Sequence, residues 1–153
     1  MVYTISVNDY NTDGSSFGDG VPGEIWLGKA NDSGDKSVKG HSFASRPSAV
    51  RFWYRYAPLN ADTFAVYVEL CDAEGNTIAY TEKLDGELAS NWTQCEIPVL
   101  YSKTSVKAAS LYICFKSSTT GETTMNKSEE IAGALKNAHM GSVLRIDDVE
   151  LIY

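Results

Sequence analysis

Strict alternation of apolar and polar side chains is the feature that most constrains this chain. In residues 63–70, TFAVYVEL, four large apolar side chains fall at every second position: Phe64, Val66, Val68 and Leu70. Tyr67 and Glu69 fall between them. Successive side chains of a β-strand point to opposite faces, so this spacing predicts a strand with one face in a core and one face outward.

Similar short alternating segments recur along the whole chain and are separated by turn residues. They predict eight strands, at residues 2–8, 23–28, 49–57, 63–71, 76–83, 94–101, 109–117 and 143–152. The segment CDAEGNT between the fourth and fifth of these strands carries Asp, Gly and Asn, which favour a tight hairpin turn. An all-β chain with this number of strands is typical of a two-sheet, jelly-roll-like β-sandwich.

One segment has helical spacing instead. In NKSEEIAGALKNAHMG, the apolar residues Ile131, Leu135 and Ala138 recur at intervals of three and four, and Gly141 follows as a stop signal. The pattern predicts one short loop helix, about residues 127–139, between the last two strands.

Length and charge limit the classes of function. With 153 residues, of which 43% are hydrophobic, residues 1–153 are expected to form a single domain with its own core. The net charge of −7, with only 13 Lys and Arg spread along the chain, argues against nucleic acid and against other anionic polymers as partners. No apolar stretch approaches the ~20 residues that a spanning helix needs, so we expect no membrane insertion by this segment.

The three cysteines predict neither a zinc site nor a disulfide framework. Cys71, Cys95 and Cys114 have no CxxC spacing, and their number is odd. All three lie in predicted strands, where cysteine often acts as a small apolar side chain.

Four stretches of the sequence together carry a family resemblance: SFASRPSAVRFWYRYAPLNADTFAVYVELCDAEGN, NWTQCEIPVLY, LYICFKSS and GSVLRIDDVELIY. Through them residues 40–153 resemble the Putative Carbohydrate Metabolism Domain (PCMD) family of surface and secreted proteins from polysaccharide-degrading bacteria. The resemblance implies a β-sandwich similar to carbohydrate-binding modules, with a glycan as its partner. It also implies a secreted or cell-surface location and further domains in a longer chain.

The outward faces of the predicted strands supply a candidate sugar-binding surface. If Phe52 and its alternating neighbours face the core, three outward aromatic residues remain, Trp53, Tyr67 and Tyr112, together with the charged residues Arg51, Arg55 and Glu69. Sugar rings stack their C–H faces on such aromatic rings, and charged groups bond the hydroxyls. Alternatively, the loop helix or another domain covers these aromatic residues, which would indicate a structural or adhesion module without a glycan ligand.

Catalysis is the third alternative. A glycoside hydrolase needs two carboxyl groups about 5 to 9 Å apart across the sugar. Asp147 and Asp148 are sequence neighbours, and on a regular strand they point to opposite faces, which makes them a poor catalytic pair. We therefore predict no catalytic residues and a non-enzymatic function.

The doubled aspartate has two other interpretations. In jelly-roll sugar-binding modules, which this chain resembles, an aspartate in such an ending commonly helps to hold a structural Ca²⁺, and Asp147 has that position. If the first strand pairs antiparallel with the last, Asp9 would lie near Asp147 and could contribute to the 6 to 8 oxygens that Ca²⁺ requires. Alternatively, the two aspartates accept backbone amides at a bulge that bends the strand.

Overall fold

The computed structural model describes residues 2–7, 22–27, 40–121 and 138–153. These residues contain nine strands: β1 (Val2–Val7), β2 (Glu24–Leu27), β3 (His41–Ser42), β4 (Ala49–Ala57), β5 (Phe64–Cys71), β6 (Thr77–Asp85), β7 (Ala89–Pro98), β8 (Ser110–Lys116) and β9 (Ala138–Ile152). Each of the eight predicted strands is present. The sequence missed the short strand β3, and β7 and β9 begin earlier than predicted.

The strands form two antiparallel sheets. One sheet has the order β1-β9-β4-β7, and the other has the order β2-β8-β5-β6 with β3 also paired to β8. β2 and β3 pair with different halves of β8, so they act as two pieces of one edge strand. If β2 and β3 are counted as one edge strand, every connection except the β5–β6 hairpin joins a strand of one sheet to a strand of the other. This is the connectivity of a jelly roll. The predicted fold class is confirmed.

The β5–β6 hairpin forms where the turn residues predict it. Gly75 has a φ of 83°, a left-handed conformation that glycine adopts without steric cost. The carboxylate of Asp72 accepts the backbone N–H groups of Glu74, at 3.1 Å, and Asn76, at 2.7 Å. These bonds close the turn locally, which is why the sequence alone identified it.

Aromatic side chains from both sheets fill the core. Phe52 on β4 packs edge-on against Phe115 on β8, with ring centroids 5.1 Å apart. Tyr56 on β4 packs in the same way against Phe64 on β5, at 5.0 Å. All four rings are buried, so the predicted inward face of β4 is correct.

A buried carboxylate ties the ends of the two sheets together. Asp62, 1% exposed, lies in the connection from β4 to β5. It accepts backbone N–H groups from Thr63, Thr119 and Thr120 at 2.8 to 3.3 Å, and the hydroxyl of Ser142 on β9 at 2.6 Å. Burial acts to raise the pKa of Asp62, but the hydrogen bonds from hydroxyl and backbone donors outweigh it and lower the pKa.

The predicted loop helix falls mainly outside the described residues, which end at 121 and resume at 138. Its predicted last residues, Ala138 and His139, belong instead to β9, where they pair with Val7 and Ser6 of β1. The predicted helix end is therefore wrong, because pairing with β1 makes the last strand begin at Ala138 instead of at residue 143. In the described ranges, no helix has the length and apolar character to cross a membrane.

Candidate functional site

The six predicted sugar-binding residues divide between opposite sides of the sandwich. Arg51, Trp53 and Arg55 lie on β4, in the four-stranded sheet. Tyr67 and Glu69 on β5 and Tyr112 on β8 belong to the five-stranded sheet. The expectation that all six form one sugar-binding surface is wrong, because the chain crosses from one sheet to the other between β4 and β5.

The phase of β4 was nevertheless predicted correctly. Trp53 is 36% exposed, whereas its neighbour Phe52 is 0% exposed. A one-residue error in phase would have exchanged these two environments. Each outer face therefore has its own set of functional candidates.

The outer face of the five-stranded sheet carries one aromatic residue from each of four adjacent strands. We call this set the aromatic face, and its members are Trp26 on β2, Tyr112 on β8, Tyr67 on β5 and Tyr80 on β6. The rings of Trp26 and Tyr112 are in contact, with centroids 6.5 Å apart and planes inclined by 35°. Tyr80 is 48% exposed.

Strand register explains why these aromatic residues are neighbours. Trp26 and Tyr67 pair with Cys114 from its two sides, and Glu69 pairs with both Tyr112 and Tyr80. Residues directly opposite each other lie on the same face of a sheet. Cys114 also faces outward, yet it is only 3% exposed because large side chains flank it.

Carboxylates lie between the aromatic rings. Glu69 was predicted to face outward, and it does so, but it is only 6% exposed between its two tyrosine neighbours. The hydroxyl of Thr77 donates a hydrogen bond of 2.5 Å to Glu69 Oε1. Glu82 is exposed and lies opposite Tyr67. The aromatic face thus combines flat apolar rings with hydrogen-bond acceptors.

Two phenols of the aromatic face, those of Tyr67 and Tyr112, have raised pKa values. Burial raises the pKa of Tyr67, and the nearby carboxylate of Glu82 raises it further. Burial also raises the pKa of Tyr112, with an added contribution from Cys114. Hydrogen bonds to the side chains of Glu82 and Cys114 contribute to the raised pKa of Tyr67 and of Tyr112, respectively.

Sequence reasoning missed Trp26 and Tyr80 as members of this surface. Trp26 lies on β2, an edge strand of the five-stranded sheet, and Tyr80 lies on β6. Alternation within GEIWLG and TIAYTEKL could have placed both residues on outward faces. It could not have shown that they neighbour Tyr112 and Tyr67, because that depends on strand order.

The outer face of the four-stranded sheet is rich in charge, and we call it the charged face. Arg51 bonds Glu96 on β7, with Nη2 and Oε2 2.8 Å apart, and approaches Glu150 on β9 at 3.7 Å. Trp53 lies opposite Gln94 and Asp147, and Arg55 lies opposite Arg145. The strands of this sheet also contain two exposed large apolar residues besides Trp53: Trp92 on β7 and Val149 on β9.

The doubled aspartate forms a β-bulge. Arg51 pairs with Glu150, and Trp53 pairs with Asp147. Between these two pairs, β9 advances by three residues and β4 by only two, so β9 contains one extra residue. Asp148 has a φ of 46°, and its N–H donates to Asp147 Oδ1 at 3.0 Å. Both carboxylates are exposed to solvent. The bulge interpretation is confirmed, and it explains how a strand tolerates two adjacent aspartates.

The described residues do not fit a calcium site at Asp147. β1 pairs antiparallel with β9 as expected, but Val2 lies opposite Leu144 and Val7 opposite Ala138, so β1 runs away from Asp147. Asp9 itself lies outside the described residues. Within the described part of the chain, no group of three or more His, Cys, Asp or Glu side chains could hold a metal ion. Ca²⁺ takes 6 to 8 oxygen ligands, and a calcium site that uses both Asp147 and Asp9 stays a prediction.

Comparison with known proteins supports the fold and not a family. No protein-family model matches the sequence, and no curated protein matches it, so membership of the PCMD family stays a prediction. Among solved structures, the chain is similar to one described as a putative glycoside hydrolase from Bacteroides thetaiotaomicron, with a TM-score of 0.58 and 18% identity. The similarity covers 88% of this chain and 48% of that one. The chain therefore spans about half the length of that protein and shares its fold over that half.

Proposed function

We propose that this domain is a non-catalytic carbohydrate-binding module that binds a glycan across the aromatic face. One observation carries the proposal. Four adjacent strands each contribute one aromatic side chain to the same outer face, and the carboxylates of Glu69 and Glu82 lie among them. In this proposal the module is an accessory domain of a secreted or cell-surface protein that uses polysaccharides.

The dimensions of the surface suit a chain of sugars. Neighbouring strands lie about 4.8 Å apart, so the four strands span roughly 14 Å across the sheet. A pyranose ring is about as wide as one strand spacing, so successive rings of an oligosaccharide can meet successive aromatic side chains. The apolar C–H faces stack on Trp26, Tyr67 and Tyr112, while carboxylates and phenols bond the hydroxyls.

Three further arguments support the proposal. The similar solved structure is described as a putative glycoside hydrolase and is about twice as long as the matched part of this chain, which suits a carbohydrate-related domain within a larger protein. The resemblance of residues 40–153 to the PCMD family points to the same class of partner. Glycan binding would also explain why four aromatic rings lie together on an outer face, because an exposed apolar patch on a protein often marks a binding site.

The decisive experiment is a broad glycan array, followed by calorimetric titration of the glycans that bind. Trp26→Ala and Tyr67→Ala should each weaken binding about tenfold, since an aromatic contact contributes roughly 1 kcal/mol or more beyond area burial. Trp92→Ala is the matched control, because it removes an exposed indole from the other sheet and should leave the affinity unchanged.

The array also separates the proposal from a structural or adhesion module and tests which surface binds the glycan. If no glycan binds, the module is structural or adhesive and the aromatic face packs on a neighbouring domain. If glycans bind and the aromatic-face variants bind them as tightly as the unaltered chain, the proposed surface is wrong.

A glycoside hydrolase is a second candidate, and one arrangement favours it. Glu82 lies opposite Tyr67 and Glu69 two residues further along β5, so the two carboxylates hold diagonal positions on one face. Diagonal residues are about 7 to 8 Å apart at their Cα atoms, comparable to the separation of a catalytic carboxyl pair. Turnover of an array hit that is lost in both Glu69→Gln and Glu82→Gln, with binding retained, would establish the enzyme instead of the binding module.

A further inference from the structure

Two arginines on the same strand and face have opposite environments. Arg51 is held by two carboxylates, Glu96 and Glu150. Arg55 has no ion-pair partner among the described residues, and its Nε atom is buried without a hydrogen-bond partner there. An unpaired buried donor costs free energy, so a change of side-chain rotamer that brings Arg55 to an acceptor on a ligand would gain what the free protein lacks.

The residue directly opposite Arg55 on β9 is another arginine, Arg145. Like charges directly opposite each other across two strands destabilise a sheet. Arg145 also lacks an ion-pair partner in the described part of the chain. We call these two residues the arginine pair.

A shortage of acidic residues does not explain the arginine pair, since the chain has 20 Asp and Glu against 13 Lys and Arg. The carboxylate two positions further along β9 is that of Asp147, which faces Trp53 and accepts the N–H of Asp148 instead. Within the described part of the chain the pair thus keeps its positive charge uncompensated, although the whole protein has a net charge of −7. A cationic spot of this kind attracts an anion.

We propose that the arginine pair is a second saccharide site, which binds the anionic group of an acidic sugar. The planar guanidinium groups of Arg55 and Arg145 bond a carboxylate or sulfate through paired N–H donors. Trp53, two residues before Arg55 on the same face and 36% exposed, stacks on the ring of that sugar. This site lies on the opposite side of the sandwich from the aromatic face and does not depend on glycan binding there.

The net negative charge argues against a long anionic polymer, but it does not exclude one acidic ring at this position. Coulomb attraction at contact distance exceeds the effect of charges that lie more than a Debye length away, about 8 Å at physiological salt. Arg51 is already neutralised, so the anion is directed to the arginine pair and not along the whole of β4.

The test is titration of the protein with short oligogalacturonate, with neutral cello-oligosaccharide of equal length as the ligand control. We expect binding of the oligogalacturonate that falls roughly 10- to 100-fold in Arg55→Gln and in Arg145→Gln. Arg55→Lys keeps the charge but loses the fork of donors, and should lie between these variants and the unaltered chain. Short sulfated carrageenan fragments as a third ligand decide between a carboxylate and a sulfate as the preferred group.

Two control variants isolate this site. Arg51→Gln removes an arginine from the same face and should bind oligogalacturonate as the unaltered chain does. Tyr67→Ala disrupts the aromatic face and reports whether the acidic sugar binds there instead. Loss of binding in Tyr67→Ala alone would assign the acidic sugar to the aromatic face and overturn the second site while leaving the proposed function intact. Equal affinities of Arg55→Gln, Arg145→Gln and the unaltered chain would also overturn it.

The melting temperature supplies an independent test, because a purely structural role of Arg55 predicts different shifts. Removing one member of a like-charged pair should leave the melting temperature unchanged or raise it. Oligogalacturonate should raise the melting temperature of the unaltered chain and not of Arg55→Gln, because only a ligand bound to the folded state stabilises it. A lower melting temperature of Arg55→Gln without ligand would show that Arg55 has a structural partner and would overturn the proposal.

Discussion

The two outer faces of the sandwich are built from the same alternating pattern but handle their outward residues differently. On the aromatic face, outward residues cover each other, so that Glu69 and Cys114 are nearly as buried as core residues. On the charged face, Trp53 and the residues of the bulge remain open, and Arg51 is held by surface ion pairs.

This difference shows that alternation determines which way a side chain points but not how much of it solvent reaches. Exposure depends on the neighbours that the adjacent strands bring. Large rings on both sides of Cys114 bury it, whereas Gln94 and Asp147 on both sides of Trp53 leave its indole accessible.

The largest expected effect comes from removing a side chain on the inner face of β4, compared with removing its neighbour on the outer face. Phe52→Ala should reduce the free energy of unfolding by about 3 to 5 kcal/mol, because it removes a fully buried ring from the core. Trp53→Ala, one residue further, should cost less than about 1 kcal/mol because the indole is partly in solvent. Urea denaturation of both variants measures the contrast, and equal losses would mean that the charged face is covered.

The second prediction concerns Asp62, which bonds segments of both sheets. Asp62→Ala should cost roughly 2 to 3 kcal/mol, because it leaves the buried hydroxyl of Ser142 and two part-buried backbone N–H groups without this acceptor. The folded-state pKa of this carboxylate is lowered from its ordinary value of 3.8. Its contribution to stability should therefore be complete above that value and be lost as the pH falls through the lower, folded-state pKa.

Thermal unfolding as a function of pH measures this dependence, with Asp62→Asn as the control that cannot titrate. The difference in stability between the unaltered chain and Asp62→Asn should shrink as the medium becomes acidic. A constant difference across the acidic range would contradict the role assigned to the Asp62 carboxylate.

The third prediction addresses the bulge that opens the charged face. Asp148→Val should cost roughly 1 to 2 kcal/mol, since a β-branched residue is strained at the observed φ of 46°. Asp148→Gly should change stability by less than about 0.5 kcal/mol, because glycine adopts this conformation freely. If chemical denaturation shows both variants to be equally stable, the bulge is absent in solution and the charged face is a regular sheet.

The smallest expected effect concerns calcium. Asp147→Ala removes the acceptor for the N–H of Asp148, so it should lower the melting temperature slightly. The shift should be the same in excess Ca²⁺ and in excess chelator, after metal analysis has shown the sample to be free of bound ions. A calcium-dependent gain that Asp147→Ala abolishes would restore the metal site and contradict the assignment of Asp147 to the bulge alone.

Several features followed from the sequence alone because their causes are local. Period-2 alternation placed Phe52 inward and Trp53 outward, and the turn residues around Asp72 and Gly75 located the hairpin. Bulge formation at Asp147 and Asp148 was one of two open interpretations, and it too depends on neighbouring backbone groups. Each of these involves residues within a few positions of one another.

Only the tertiary structure decided which outward residues share a surface. It separated Trp53 from Tyr67 by placing β4 and β5 in different sheets, and it brought Trp26 and Tyr80 beside Tyr112 and Tyr67. It likewise paired Arg55 with Arg145. Strand pairing joins residues that are far apart in sequence, and many pairings satisfy the same alternation, so the choice among them is made when both sheets bury their inner faces against one core.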